Sequence, residues 1–179
     1  MSNLEKLYEY LLSDNVGLYE EEIFKIIPEL SYEVGMEQKS SWHSLDVWNH
    51  TLKAVEVCDK NKLDRLTLLL HDIGKPFSYQ DDNEVRHFKN HATKSFIIST
   101  SILDRLGIEK EEKELILKLI KAHVSKIDLK DINKDNIDFY KRLLKIKKCD
   151  ASAYEINHSK KMLEELELID LNNVNNCQR

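Results

Sequence analysis

Apolar side chains recur along this chain with a period near 3.6 almost throughout, which is the spacing of one buried face on an α-helix. The pattern predicts helices over about 2–14, 17–28, 44–60, 63–73, 84–106 and 109–126, and one long helix from about 136 to 170. Gly17, Pro28, Gly35, Gly74-Lys75-Pro76 and Gly107 punctuate it; Ser2 and Ser44 suit N-caps, and Gly107 suits a C-cap. Asp81-Asp82-Asn83 marks a loop of about ten residues after Pro76, and the polar run 172–176 predicts a frayed tail. The expected fold class is all-α, a compact bundle of about six to seven helices.

Polar side chains that fall inside an apolar arc point to chemistry, because a buried charge must be paired or bound to a metal. On the 44–60 helix, Asp46, Asn49, Lys53, Glu56 and Lys60 form the wet face. His50 instead aligns with Val47, Ala54 and Val57, and His43 shares its direction one i,i+7 step earlier. His71 and Asp72 flank Leu68, opposite the stripe of Leu63, Leu66, Leu69, Leu70 and Ile73. Roughly 100° apart, they cannot stack, yet both can reach an ion lying between their directions. His91 points along a face of Phe88, Ala92, Ser95, Ile98, Ser99 and Ile102, whose small members allow close helix approach, and His87 sits at its edge. His123 lies amid Ile116, Leu119 and Ile120, and Asp150 falls among Leu143, Ile146, Ala153 and Tyr154. A lone histidine on an apolar face is most often a satisfied core residue. Six inward ligand-type groups are harder to explain separately, and a divalent metal (Fe, Mn, Co, Ni, Zn or Mg) explains them together.

Composition narrows the picture further. With 41% hydrophobic and 33% charged residues but only 4 Gly and 2 Pro in 179, the chain fits neither a disordered protein nor a β-sandwich. A net charge of -5 argues against a general nucleic-acid footprint and against a reader of DNA sequence. Lys141–Lys148 carries five basic groups in eight positions, either a solvated face or a phosphate-attracting rim. Cys58, Cys149 and Cys177 match no disulfide or zinc framework, as expected in a reducing compartment. No apolar run of about 18 residues and no secretory signal pattern is found, so the expectation is a cytoplasmic protein with no membrane partner.

The residues quoted above also carry a family resemblance. His43-Ser44-Leu45-Asp46-Val47-Trp48-Asn49-His50, Leu70-His71-Asp72-Ile73-Gly74-Lys75-Pro76, Arg86-His87-Phe88-Lys89-Asn90-His91, Lys121-Ala122-His123 and Cys149-Asp150-Ala151 together resemble the HD-domain superfamily of metal-dependent phosphohydrolases, over about residues 28–156. The nearest style is the HD domain of bacterial tRNA CCA-adding enzymes and poly(A) polymerases, including Glu37-Gln38 ahead of the first histidine. The paired-aspartate strand motif and Gly-rich nucleotide loop of their polymerase half are missing, so nucleotide addition is not implied. Ala92-Thr93 also replaces an acidic residue often seen after the third histidine.

The resemblance implies one HD domain over 1–179, with a core of about 41–160, an N-terminal helical extension of about 1–40 and a frayed tail of about 171–179. It implies that His50, His71, Asp72 and Asp150 hold one metal, and that His91 and His123 complete a second site bridged by Asp72. Such a pair of ions activates water and clamps a phosphoryl oxygen without a protein nucleophile. Asp72 and Lys75 are then the catalytic candidates, and Lys75, His43, His87 and Arg142 the substrate-binding ones. The expected substrate is a small phosphorylated compound, a nucleotide, cyclic nucleotide or RNA end. The alternatives are a metallated module that binds RNA or nucleotides with little turnover, using the Lys141–Lys148 patch, and a di-iron oxygenase.

Overall fold

Local chemistry sets the helix ends. The computed structural model describes residues 1–82 and 84–171, so the predicted frayed run and Cys177 lie outside the described residues. In α1 (Asn3–Leu11) a reciprocal capping box forms: the Ser2 hydroxyl accepts from the Glu5 amide at 3.2 Å, and the Glu5 carboxylate accepts from the Ser2 amide at 2.6 Å. A short 3-10 turn leads into α2 (Glu20–Ile26), and Pro28–Glu33 forms another 3-10 turn. The N-cap of α3 (Val47–Val57) is Asp46, not Ser44: its carboxylate accepts from the Asn49 amide and from the Gly35 amide, each at 2.8 Å, as a hydroxyl two residues earlier cannot. Asn61 caps α4 (Lys62–Leu70) by accepting from the Leu63 and Asp64 amides.

Everything from Asp64 to Leu70 is buried, because α4 packs against α1 and α3 and against two later helices, α6 (Lys110–Ala122) and α7 (Ile137–Ala151). Leu66, Leu68, Leu69 and Leu70 are fully enclosed, each stabilising the fold by roughly 1.5–3 kcal/mol. Beside them Arg65 fastens two helix ends. Its guanidinium donates to the Leu11 and Ser13 carbonyls at 2.7 and 2.9 Å, and to the Cys58 carbonyl at 2.7 Å, meeting acceptors that the ends of α1 and α3 leave unpaired. The N-terminal helices are thereby tied to the bundle.

The segment after α4 departs from the expected loop and helix. Tyr79–Asp82 (β1) and Val85–Phe88 (β2) pair antiparallel, with Tyr79 opposite Phe88. Arg86 clamps the hairpin by a two-pronged pair with Asp81 at 2.6 and 2.8 Å. The helix predicted over 84–106 therefore starts only at His91, as α5 (His91–Leu106), and ends at Gly107 with φ +69°, the left-handed cap expected of it. Gly74 abuts α5: a Cβ there would stand 2.4 Å from the Ser95 amide nitrogen, and the Gly74 amide donates to the Ser95 hydroxyl at 2.9 Å. The small residues on this face thus permit the predicted close approach. The long helix predicted over 136–170 breaks into α7 and α8 (Ile156–Glu167). Glu155 restarts it, accepting from the Asn157 amide while its own amide donates to the Trp42 carbonyl. The result is an all-α bundle with one small hairpin, and none of its described helices is long and apolar enough to cross a membrane.

Candidate metal centre

Five helices deliver ligand-type groups to one place. His50 comes from the middle of α3, His71 and Asp72 from the end of α4, His91 from the start of α5, His123 from the end of α6 and Asp150 from α7. All but His91 are buried. The Asp150 carboxylate is 2.8 Å from His50 Nε2 and 3.4 Å from His71 Nε2. Asp72 divides its oxygens: Oδ2 lies 3.2 Å from His71 Nε2 and 3.9 Å from His50 Nε2, whereas Oδ1 lies 3.3 Å from His91 Nε2 and 3.7 Å from His123 Nε2. One carboxylate therefore faces two groups of imidazoles.

Backbone contacts fix how these rings are protonated. His71 Nδ1 donates to the Leu68 carbonyl at 2.6 Å, His91 Nδ1 to the Phe88 carbonyl at 2.8 Å and His123 Nδ1 to the Ile120 carbonyl at 2.6 Å. Since a carbonyl only accepts, each Nδ1 carries its proton and each Nε2 of a neutral ring presents a lone pair. His91 Nε2 and His123 Nε2 then stand 3.2 Å apart. Two facing lone pairs repel unless a proton or a cation sits with them. His71 Nε2 and Asp72 Oδ1 are buried without a hydrogen bond of good geometry. The donor set, imidazole nitrogen and carboxylate oxygen, suits a divalent metal, and His50, His71 and Asp150 form one grouping that could hold an ion while His71, Asp72 and His123 form another.

The electrostatics agree. Burial opposes charge on Asp72, yet His71 and Lys75 hold its carboxyl well below the usual range; Asp150 is depressed likewise, against burial, by His50 and His71. His71 is raised well above its ordinary value because Asp72 and Asp150 outweigh its own burial. Burial lowers His91 to about 4 despite Asp72, so it is neutral at pH 7. A metal would take over the positive charge that a proton on His71 supplies.

Asp72, His91, His123 and Asp150 line the buried end of an open cavity of about 380 Å³, and Lys75, His43 and His87 also line it. Lys75 Nζ is 2.7 Å from Asp72 Oδ2 and donates to Gln38 Oε1 at 2.7 Å. Neither ring nitrogen of His43 has a partner, and burial, then Lys75 and His50, lowers its pKa to about 3. Arg142 is placed elsewhere, its Nε 3.4 Å from the buried Asp64 carboxylate, which therefore holds this cation away from the cavity. Lys145 bridges Asp59 and Asp64 at 3.0 and 2.8 Å, so two of the five basic groups of 141–148 are committed to internal pairs. Those pairs also fill the Cys58, Asp59 and Asp64 grouping with cations rather than leaving it open to a metal.

Residues 42–171 match the sequence model of the HD domain. The chain belongs to the HD-domain family. Two curated relatives of this HD domain are the CC-adding tRNA nucleotidyltransferase of Thermus thermophilus, 34% identical over 108 residues, and the A-adding tRNA nucleotidyltransferase of Deinococcus radiodurans, 32% identical over 112 residues. The matches cover 56% and 59% of this chain but 25% and 26% of those proteins, so the HD domain spans about a quarter of the length of the curated relatives it matches.

Several residues of this HD domain escaped the sequence reading. Glu33, fully buried beside Thr51, is pushed up to about 8 by burial and by the Asp72 charge. Tyr154 sits against His43 and His50 at ring distances of 4.5 and 5.1 Å, and the Asp150 charge and burial keep its phenol protonated. Gln38, quoted only within the family resemblance, proves to be the partner of Lys75. No periodic signal marks Glu33 and Gln38, which lie outside the α-helices, and the apolar stripe that marked Tyr154 as a core residue gave no sign of its place beside the cluster, because it lies in the break between α7 and α8.

Proposed function

We propose that this HD domain is a metal-dependent phosphohydrolase, a phosphomonoesterase or phosphodiesterase acting on a nucleotide, cyclic nucleotide or RNA end. The observation that carries the reading is the division of the Asp72 carboxylate between His50 and His71 on one side and His91 and His123 on the other, at the buried end of an open cavity. HD domains form a superfamily of metal-dependent phosphohydrolases, and the two relatives are, by their names, enzymes of tRNA.

In this reading His50, His71, Asp72 and Asp150 hold one ion, and His91, His123 and the shared Asp72 hold a second. Bound divalent ions supply Lewis acidity toward water and a phosphoryl oxygen. The protein's own groups do the rest. Asp72 keeps both oxygens deprotonated, because neighbouring cations depress its pKa. Lys75 spends two of its three N–H bonds on Asp72 and Gln38, leaving one for a phosphate oxygen. His43, neutral at pH 7, offers an uncharged hydrogen-bonding edge to the leaving group, and His87 lines the same cavity.

The test is elemental analysis of the purified chain, followed by chelation and reloading with Mn, Co or Ni before a panel of phosphomonoesters and phosphodiesters. Hydrolysis that disappears with chelator and returns with metal is expected. Absence of bound metal, together with no binding and no turnover after reloading, refutes the proposal.

A further inference from the structure

The cavity continues past the ligand groups to an aromatic wall. Trp42, in the segment before α3, lines the same cavity as Asp72 and Asp150, yet 55% of its surface is exposed, while the other tryptophan, Trp48, is 1% exposed in the core. One face of Trp42 is stacked on His158 of α8, with ring centroids 4.7 Å apart and planes 1° from parallel. Its backbone carbonyl is also held by the Glu155 amide at 2.8 Å. The indole is therefore supported from behind and anchored by its main chain. From it, ring contacts run inward through His158 and Tyr154 at 5.2 Å to His50 at 5.1 Å. A large, exposed and braced aromatic ring at the mouth of a polar site offers a stacking surface to a partner with a π-face.

The charges limit what else that partner carries. Lys75 is paired with Asp72, and Arg86 is held two-pronged by Asp81. Lys147 donates to the His123 carbonyl. Such a lining suits one phosphate at the ligand cluster rather than a chain of phosphates along the wall. Its volume of about 380 Å³ falls within the range of roughly 300–1,000 Å³ common for small-molecule sites.

We infer that the exposed face of Trp42 is the platform for the base of a nucleoside monophosphate whose phosphate is held at the His–Asp cluster, an inference that rests on the phosphohydrolase reading. The base stacks on the indole, and the Trp42–His158 pair sets the wall against which the sugar is positioned. Selection is then for an aromatic group attached to a single phosphate, with little discrimination among bases, because every base offers a π-face.

The test uses the full chain, metal-loaded as purified, and its intrinsic tryptophan fluorescence read within seconds of mixing with adenosine 5′-monophosphate, ribose 5-phosphate or a short RNA. Expected is quenching by the nucleotide that is absent with ribose 5-phosphate and absent in Trp42→Leu. Stacking of one base is worth about 1–3 kcal/mol, so Trp42→Leu should weaken nucleotide affinity by roughly 5- to 150-fold while leaving the affinity for ribose 5-phosphate, read from its thermal stabilisation of the protein, unchanged. Trp42→Phe, which keeps a π-face, should restore most of the affinity. Equal affinity for nucleotide and ribose 5-phosphate, unaffected at Trp42, overturns the platform but spares the phosphohydrolase reading. Tighter, salt-dependent binding of the RNA through Trp42 overturns the commitment to a monophosphate. No binding by either phosphate compound to metal-loaded protein overturns the platform, while the phosphohydrolase reading is overturned only by failure of the metal-reloading panel.

Discussion

Asp72 and Asp150 are both buried carboxylates in the ligand cluster, but they differ in one respect that a pair of Asn substitutions isolates. Asp72 carries Lys75, an ammonium 2.7 Å away and 5% exposed, whereas the partners of Asp150 are the His50 and His71 imidazoles. At an effective dielectric of about 20 the Asp72–Lys75 attraction is about 6 kcal/mol before desolvation, and removing one member of a buried pair costs about 3–5 kcal/mol net. Gln38 Oε1 still accepts from Lys75 in Asp72→Asn, which favours the lower end, about 3 kcal/mol. At about 2–4 °C per kcal/mol for a chain of this size, Asp72→Asn should melt roughly 6–12 °C below wild type in chelator. Asp150→Asn keeps an amide oxygen for His50 and leaves Asp72 beside His71, so its loss in chelator should be about 1 kcal/mol, or roughly 2–4 °C. Metal at 100 times its dissociation constant should then raise the wild-type melting point by the equivalent of about 2.7 kcal/mol, and both variants should lose most of that gain. The assay is thermal unfolding with and without chelator, paired with metal content by elemental analysis. Full metal stoichiometry and a wild-type thermal gain in Asp150→Asn would refute its place as a ligand. Equal stability of the two variants in chelator would refute the account of Lys75.

Three further outcomes follow from other parts of the centre. His91→Ala and His123→Ala should each lose activity while one ion stays bound, and His71→Ala should lose the first ion; equal loss of metal from all three, by elemental analysis, means a single site. In chelator, stability should fall as pH rises from about 6.5 to 8, whereas below 6.5 the decline due to Glu33 is outweighed by His43 and His91, lowered to about 3 and about 4, which the unfolded chain protonates and the folded chain does not. Glu33 keeps a proton up to about 8 that the unfolded chain releases near 4.5, and the proton on His71, raised well above 6.5, stabilises fully below 6.5 and is lost as pH climbs through its folded value. Glu33→Gln should flatten this decline in thermal unfolding scans; an unchanged slope removes Glu33 from the explanation. Gly74→Ala sets a methyl group against the Ser95 amide, so it should cost about 1–3 kcal/mol by denaturant titration and weaken the His91–His123 ion preferentially; a neutral effect would mean that α5 can shift freely.

The sequence revealed most where apolar periodicity was long and unbroken. The helices expected over 63–73 and 109–126 appear as Lys62–Leu70 and Lys110–Ala122, and the inward direction of His50, His123 and Asp150 followed from their position on apolar stripes. The hairpin was not legible because its residues carry no apolar face: all four of β1 are exposed, and its register is held by Arg86 and Asp81, a contact between charges. The break at 152–155 was hidden for the opposite reason. No Gly or Pro interrupts the period there, and the chain turns through the Ala153 and Tyr154 amides bonding back to Asp150 and Ala151 while Glu155 caps the next helix. Arg142 shows a further limit. Its place in a basic run said nothing of Asp64, 78 residues earlier in the chain, which captures it.

The Nδ1 bonds of His71 and His123 do more than choose a tautomer. Each accepting carbonyl, of Leu68 and of Ile120, belongs to the last turn of α4 or α6, and each histidine is the C-cap of its helix. The negative ends of two helix dipoles therefore converge on the cluster, each favouring a cation by about 0.3–1 kcal/mol or somewhat more where water is excluded. This share of the attraction belongs to the main chain, so no side-chain substitution removes it unless the helix end itself frays. A histidine replaced at either end loses a proposed ligand and a cap together, which binds the survival of the helix terminus to the integrity of the His–Asp cluster.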